Sequence, residues 1–98
     1  MAYFVVINEQ GPAWDDKRSM RDQKGWTEHA VFMDVLADEH FVILGGLLKY
    51  SKHRAMLILN ALDESVLRKR LAEDPWMHTG VLRTIEIYPW EVLLGELT

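Results

Sequence analysis

Residues 2–8, Ala2-Tyr3-Phe4-Val5-Val6-Ile7-Asn8, are aromatic or β-branched on both alternating faces. Tyr3, Val5 and Ile7 fall on one side; Phe4 and Val6 fall on the other. A strand half exposed to water alternates apolar with polar, whereas one covered on both faces is apolar throughout, so this stretch is predicted to be a central strand. The segment His53–Ala61 (HRAMLILNA) repeats the pattern, with Met56 and Ile58 on one side and Leu57 and Leu59 on the other. Phe41–Gly45 (FVILG) is a continuous apolar run that reads as another strand, joined to His53–Ala61 by a hairpin over Gly46–Lys52. Val81–Val92 (VLRTIEIYPWEV) alternates and supplies the fourth, with Pro89 marking a sheet edge or a strand end.

Two helices interrupt these strands. Over Trp26–Asp38 the apolar spacing becomes helical, with Trp26, Ala30, Met33 and Ala37 as the stripe and Phe32 and Leu36 at its edge. Thr27 is the expected cap, and Trp26 and Val31 are spaced as a hydrophobic staple. Asp63 caps a second helix whose buried side is Leu67 and Leu71; it runs to about Glu73, because Asp74 precedes Pro75 and is pushed out of the helical region. Between the first strand and the first helix, Glu9–Gly25 is polar and long for a loop, as expected of a lid or a partly helical segment.

The order βαββαβ defines a split βαβ, ferredoxin-like α+β sandwich across residues 1–98: a four-stranded antiparallel sheet with both helices on one face. The other face is then bare, although the central strands carry apolar side chains there. At roughly 25 cal/mol per Å² of apolar surface, leaving them wet forfeits several kcal/mol. The expected remedy is a homodimer that packs sheet face on sheet face, a dimeric α+β barrel, with Leu93, Leu94 and Leu97 adding contacts beyond the last strand.

Composition narrows the functional classes. The 98 residues are 49% hydrophobic and 27% charged, values of an ordinary folded domain. A net charge of -4 with no basic block offers no footprint for a phosphate backbone, so nucleic acid is not an expected partner. There is no cysteine, which removes disulfides, thiolate nucleophiles and the common structural zinc sites and fits a reducing, cytoplasmic setting. Ala2–Ile7 is too short for a signal-peptide core, and no stretch approaches the roughly 20 apolar residues that span a bilayer. His40, His53 and His78 show no metal-ligand spacing, and neither a metal nor a cofactor is predicted.

His29 carries the candidate chemistry. Lying three residues after Trp26, four before Met33 and seven before Leu36, it points to the buried side of the first helix. A buried imidazole needs a partner, since an unpaired polar group costs roughly 1–3 kcal/mol. Asp74, in the turn Asp74-Pro75-Trp76, comes within reach if the two helices lie side by side. A carboxylate there fixes the ring's tautomer and raises its basicity, the arrangement of an oriented general base. Trp26, Phe32 and Trp76 are the expected apolar walls, and Arg54 or Arg83 could hold a carboxylate if their side chains face the cleft. The same histidine and aspartate could equally tie two helix ends together. The cations Lys17, Arg18, Arg21 and Lys24 of the long loop could steer an anionic substrate toward the site, but Asp15, Asp16 and Asp22 oppose them, which favours a solvated face.

These motifs, in this order, resemble the YCII family of small dimeric α+β barrels over essentially the whole chain. The resemblance rests on YFVV in the first strand, EHAVFMDVLADEHFVILGG across the helix and strand that follow, Glu73-Asp74-Pro75-Trp76 at the turn, and Tyr88-Pro89-Trp90-Glu91 at the end of the last strand. It implies a ferredoxin-like fold, dimerisation through the sheets, and an active site made of a histidine on the first helix and an aspartate before proline, positions occupied by His29 and Asp74. Family members include a dehydrochlorinase acting on a ring-derived acid, while many have no assigned activity. Two departures stand out: His40 replaces the glycine that usually ends the first helix, and Leu47 replaces the proline often found after the glycine pair.

Two readings follow. In one, His29 oriented by Asp74 moves a proton on a small acidic or enolisable molecule, giving cofactor-free lyase, isomerase or dehydrochlorinase chemistry. In the other, the pocket binds a small, anionic ligand without turnover, or the dimer is an accessory module. Cofactor-free oxygenation on a related barrel is a third possibility.

Overall fold

The computed structural model describes residues 2–51 and 53–96; Leu97 and Lys52, which entered the tail and hairpin expectations, lie outside them. The elements are β1 (Ala2–Gln10), α1 (Trp26–Asp38), β2 (Val42–Leu47), β3 (Arg54–Ala61), α2 (Glu64–Leu71), α3 (Pro75–Thr79) and β4 (Leu82–Trp90), with a 3₁₀ turn at Met20–Asp22. The strands form one antiparallel sheet in the order β2-β3-β1-β4, the ferredoxin-like α+β arrangement.

Strand periodicity sorts the side chains as predicted. Phe4 and Val6 of β1 pair with Leu59 and Leu57 of β3 and are buried with Leu36 of α1 and Leu67 and Leu71 of α2 in one core. Tyr3, Val5 and Ile7 pair with Asn60, Ile58 and Met56 on the opposite face. No helix among the described residues covers that face, and it continues outward through Leu44 of β2 and Tyr88 of β4, which are 55% and 53% exposed. Pro89 lies opposite Phe4 in β4, an edge strand, the kind of strand in which a sheet tolerates proline.

Several local expectations are corrected. β1 runs on through Glu9 and Gln10, which pair with β4, so its polar end is strand rather than loop. β2 likewise runs on past Gly45 through Gly46 and Leu47, which the hairpin was expected to hold. α1 has the predicted bounds, but its cap is Gly25 at φ 83, and Thr27 lies within the helix. Gly25 suits the position on two counts: its left-handed backbone, and the closeness of Trp76, whose indole nitrogen would stand 3.3 Å from any Cβ added there. The inward stripe of α1 is His29, Phe32, Met33 and Leu36, while Ala37 faces solvent. Asp63 caps α2 by accepting from Val66 N at 2.9 Å, as expected. α2 closes at Leu71, and the Asp74-Pro75-Trp76 turn is the start of a separate helix, α3. After α1, His40 adopts φ 59, the left-handed conformation that glycine would take more easily.

The long loop is held by its own polar groups. Gln23, almost fully buried, accepts from Asp15 N at 2.9 Å and donates to Asp15 O and Arg18 O at 2.8 and 3.0 Å. At the loop's start, Gly11 N and Ala13 N donate to Val81 O and Gly80 O. A side chain at Gly11 has no space, because its Cβ would lie 2.1 Å from Gly80 O. Gly11→Ala is therefore expected to destabilise the protein by about 1–3 kcal/mol, read as a lower midpoint in thermal unfolding. An unchanged midpoint would mean that the loop is not seated on residues 80–81.

Candidate active site

The site is built where α1, α3, the end of β1 and the β2–β3 hairpin meet. Asp74 has an extended backbone (φ -59, ψ 125) imposed by Pro75, and it caps α3 by accepting from Trp76 N at 2.9 Å. Pro75 occupies the first helical position, where no N–H is required. Asp74 is buried, with its side chain 3% exposed. Both carboxylate oxygens lie 2.9 Å from His29 Nδ1, so the pair expected across 45 positions of sequence is in contact.

An acceptor-only carboxylate on Nδ1 places the ring proton there in neutral histidine and leaves Nε2 as the basic nitrogen. His29 stacks on Trp76, with ring centroids 4.0 Å apart and planes at 9°. Trp76 is fully buried; its indole N–H donates to Lys24 O at 2.9 Å, directly before the start of α1. Trp14 meets Trp76 edge-on at 5.9 Å, and Trp26 leans on it at 5.7 Å. The imidazole is thus held by a charge on one edge and an aromatic plane on one face.

His29 and Trp76 line a cavity of about 410 Å³, a size suited to a ring-sized organic molecule. Its walls also include Trp14, Met20, Leu47, Leu48 and Leu82, and its polar lining includes Asn8, Gln10, Ser51, Lys49, His53 and Arg54. Of the walls expected from sequence, Trp76 and Arg54 border the cavity. Trp26 packs behind the His29 and Trp76 rings, and Phe32 packs on the core, so neither borders it. Arg83 turns away to Glu9, which Arg54 Nε also approaches, at 3.7 Å. The cations of the long loop are likewise elsewhere, with Arg18 near Asp15 and Arg21 over Trp26.

Sequence pattern alone does not identify Asn8, Trp14, Lys49 or His53 as site residues. Asn8 ends the apolar alternation of β1 on the core side, which is a usable signal. Lys49 and His53 carry none, because they lie in the β2–β3 connection, which has no apolar periodicity; Tyr50 and His53 there take positive φ values (63 and 62). Leu47, which stands where a proline was expected, lines the cavity. Among the described residues, no three His, Asp or Glu side chains form a metal-ligating cluster, and no helix is long and apolar enough to cross a membrane.

The geometry fixes a measurable state of the ring. In long-range proton–nitrogen NMR correlations, neutral His29 should carry its proton on Nδ1, and Asp74→Ala should release it to a tautomer mixture. The same substitution leaves Trp76 N and the imidazole unpaired and should cost about 1–3 kcal/mol of stability. A wild-type ring protonated on Nε2 would contradict the contact.

No family model matches the chain, and no curated protein matches it. Among solved structures, it is similar to 5-chloro-2-hydroxyhydroquinone dehydrochlorinase from Burkholderia phenoliruptrix AC1100, determined in complex with 2,5-dihydroxybenzoquinone. The match has a TM-score of 0.65 at 16% identity and covers 91% of this chain and 93% of that one. At that identity the likeness is one of fold.

Proposed function

We propose that this protein is a YCII-type, cofactor-independent enzyme in which His29, oriented by Asp74, is the general base for a small acidic organic substrate. The observation that carries this reading is the double contact of Asp74 with His29 Nδ1 at 2.9 Å, which leaves Nε2 as the nitrogen available to a ligand in the cavity. In the proposed step, Nε2 takes a proton from an acidic O–H or C–H. The electron pair released moves into the substrate and expels a leaving group such as chloride, or relocates a double bond. The imidazolium, stabilised by Asp74, then returns the proton to solvent or to another substrate carbon.

Two further observations support the reading. Among the described residues no carboxylate borders the cavity, whereas Lys49 and Arg54 do, so a chain of net charge -4 offers an anion a locally favourable place. Glu9 tempers Arg54 without entering the lining. The likeness in fold to a dehydrochlorinase fits elimination as the reaction class. His29→Ala should lower chloride release from 5-chloro-2-hydroxyhydroquinone about 10²- to 10⁴-fold with the fold retained, and Asp74→Asn should also slow it. Turnover unaffected by His29→Ala would exclude the base. Ligand binding with no turnover by the wild type would favour the binding module instead.

The working unit is proposed to be a homodimer formed through the bare sheet face. Val5, Ile7, Met56 and Ile58 form its centre, and the half-exposed Leu44 and Tyr88 flank them. An isologous contact covers such a face on both copies at once. Light scattering at micromolar concentration should return about twice the chain mass of 11.4 kDa; a monomer would remove this part of the proposal.

A further inference from the structure

Asn8 is polar where its predecessors on the strand are core. Phe4 and Val6 occupy the same face of β1 and are buried in the apolar cluster. Asn8 continues that row, is only 5% exposed, and borders the cavity together with His29. The pairing of β1 with β4 shifts here: Ile7 lies opposite Glu86 and Asn8 opposite Thr84, leaving Ile85 as the extra residue. The Thr84 hydroxyl donates to Asn8 Oδ1 at 2.7 Å. On its other flank, Asn8 pairs with Ala55, whose methyl group leaves room beside the amide.

A carboxamide has an accepting oxygen and two N–H donors. Thr84 occupies the oxygen. The Nδ2 group has no hydrogen-bond partner among the described residues, and it is not among the sealed, unpaired atoms, of which Asn60 Oδ1 is the example. A strand irregularity thus presents a nearly buried, oriented donor to a cavity whose other polar lining includes Gln10, Lys49, Ser51 and Arg54.

We propose that Asn8 Nδ2 grips an oxygen of the bound molecule, a carbonyl, carboxylate or ionised ring oxygen, from the sheet side of the cavity, while His29 acts from the helix side. A fixed donor of this kind holds the ligand in register and stabilises negative charge that develops as the base removes a proton. The inference rests on the reading of the cavity as the site of a small acidic molecule, and it adds the residue that recognises the oxygen.

The test is titration of the full chain with para-hydroxybenzoate, a flat ring with an oxygen group at either end, followed in proton–nitrogen spectra and by calorimetry. The side-chain NH₂ signals of Asn8, sequentially assigned, should shift along the same saturation curve as the Trp14 indole N–H. Asn8→Leu should weaken binding about tenfold or more, and Thr84→Val, which keeps the donor but frees its oxygen, should weaken it less. If Asn8→Leu does not fold, the wild-type NH₂ shift together with Thr84→Val decides. Static Asn8 signals while Trp14 and His29 respond would overturn the role of Asn8 and leave the base reading intact. Asn8 responding in a protein whose turnover survives His29→Ala would keep the donor and remove the base. No response anywhere in the wild type would overturn both.

Discussion

A buried carboxylate is tolerated only if donors surround it, and the donors that Asp74 finds organise one end of the molecule. One is Trp76 N, which makes Asp74 the cap of α3. The other is His29 Nδ1, reached by both oxygens, which fixes α1 against α3. The cap directs Trp76 so that its ring lies flat against the imidazole while its N–H closes on Lys24 O, beside the glycine that begins α1. Helix start, ring orientation and ring stacking therefore share one buried charge, and few substitutions there can affect only one of them.

The sheet places this assembly where a cavity can form. Along the helix-facing side of β1, Phe4 and Val6 are covered by Leu36 and the α2 leucines, but the strand continues past that cover into Asn8, Glu9 and Gln10. At this overhang the walls are the seated loop with Trp14, the β2–β3 hairpin, and the first turns of α1. The opposite face carries no helix among the described residues and is apolar at Val5, Ile7, Met56 and Ile58, a surface suited to another sheet. One strand thus contributes to a core, a cavity rim and a packing face by alternation and by its length.

Much of this was legible in particular residues. The bounds of α1, the Asp63 cap and the two-sided strands follow from local spacing, which reports which side of an element is apolar. His29 and Asp74 could be named because a histidine on an inward face demands a partner and a residue before proline must leave the helix. Reading failed where a local rule competed with a tertiary one. Thr27 is the better cap by side chain, yet Gly25 takes the position because the Trp76 ring leaves little room for a side chain there. Ala37 fits a helical stripe but turns outward, because the stripe is centred on Leu36, where the sheet lies. Phe32 and Trp26 have the chemistry of cavity walls, but the rotation of α1 turns one to the core and sets the other behind the stacked rings.

The sequence alone determined the order of the four strands and the two longer helices, the apolar character of both sheet faces and the residue types from which a base and its orienting carboxylate could be made, because each is encoded within a few neighbouring positions. Only the tertiary structure decided that the Asp74 oxygens stand 2.9 Å from His29, that Asn8 borders the same cavity, and that Lys49 and Arg54 line it as well. Such distances join residues far apart in the chain, and they depend on helix rotation, strand register and loop closure, which are set by packing rather than by any local pattern.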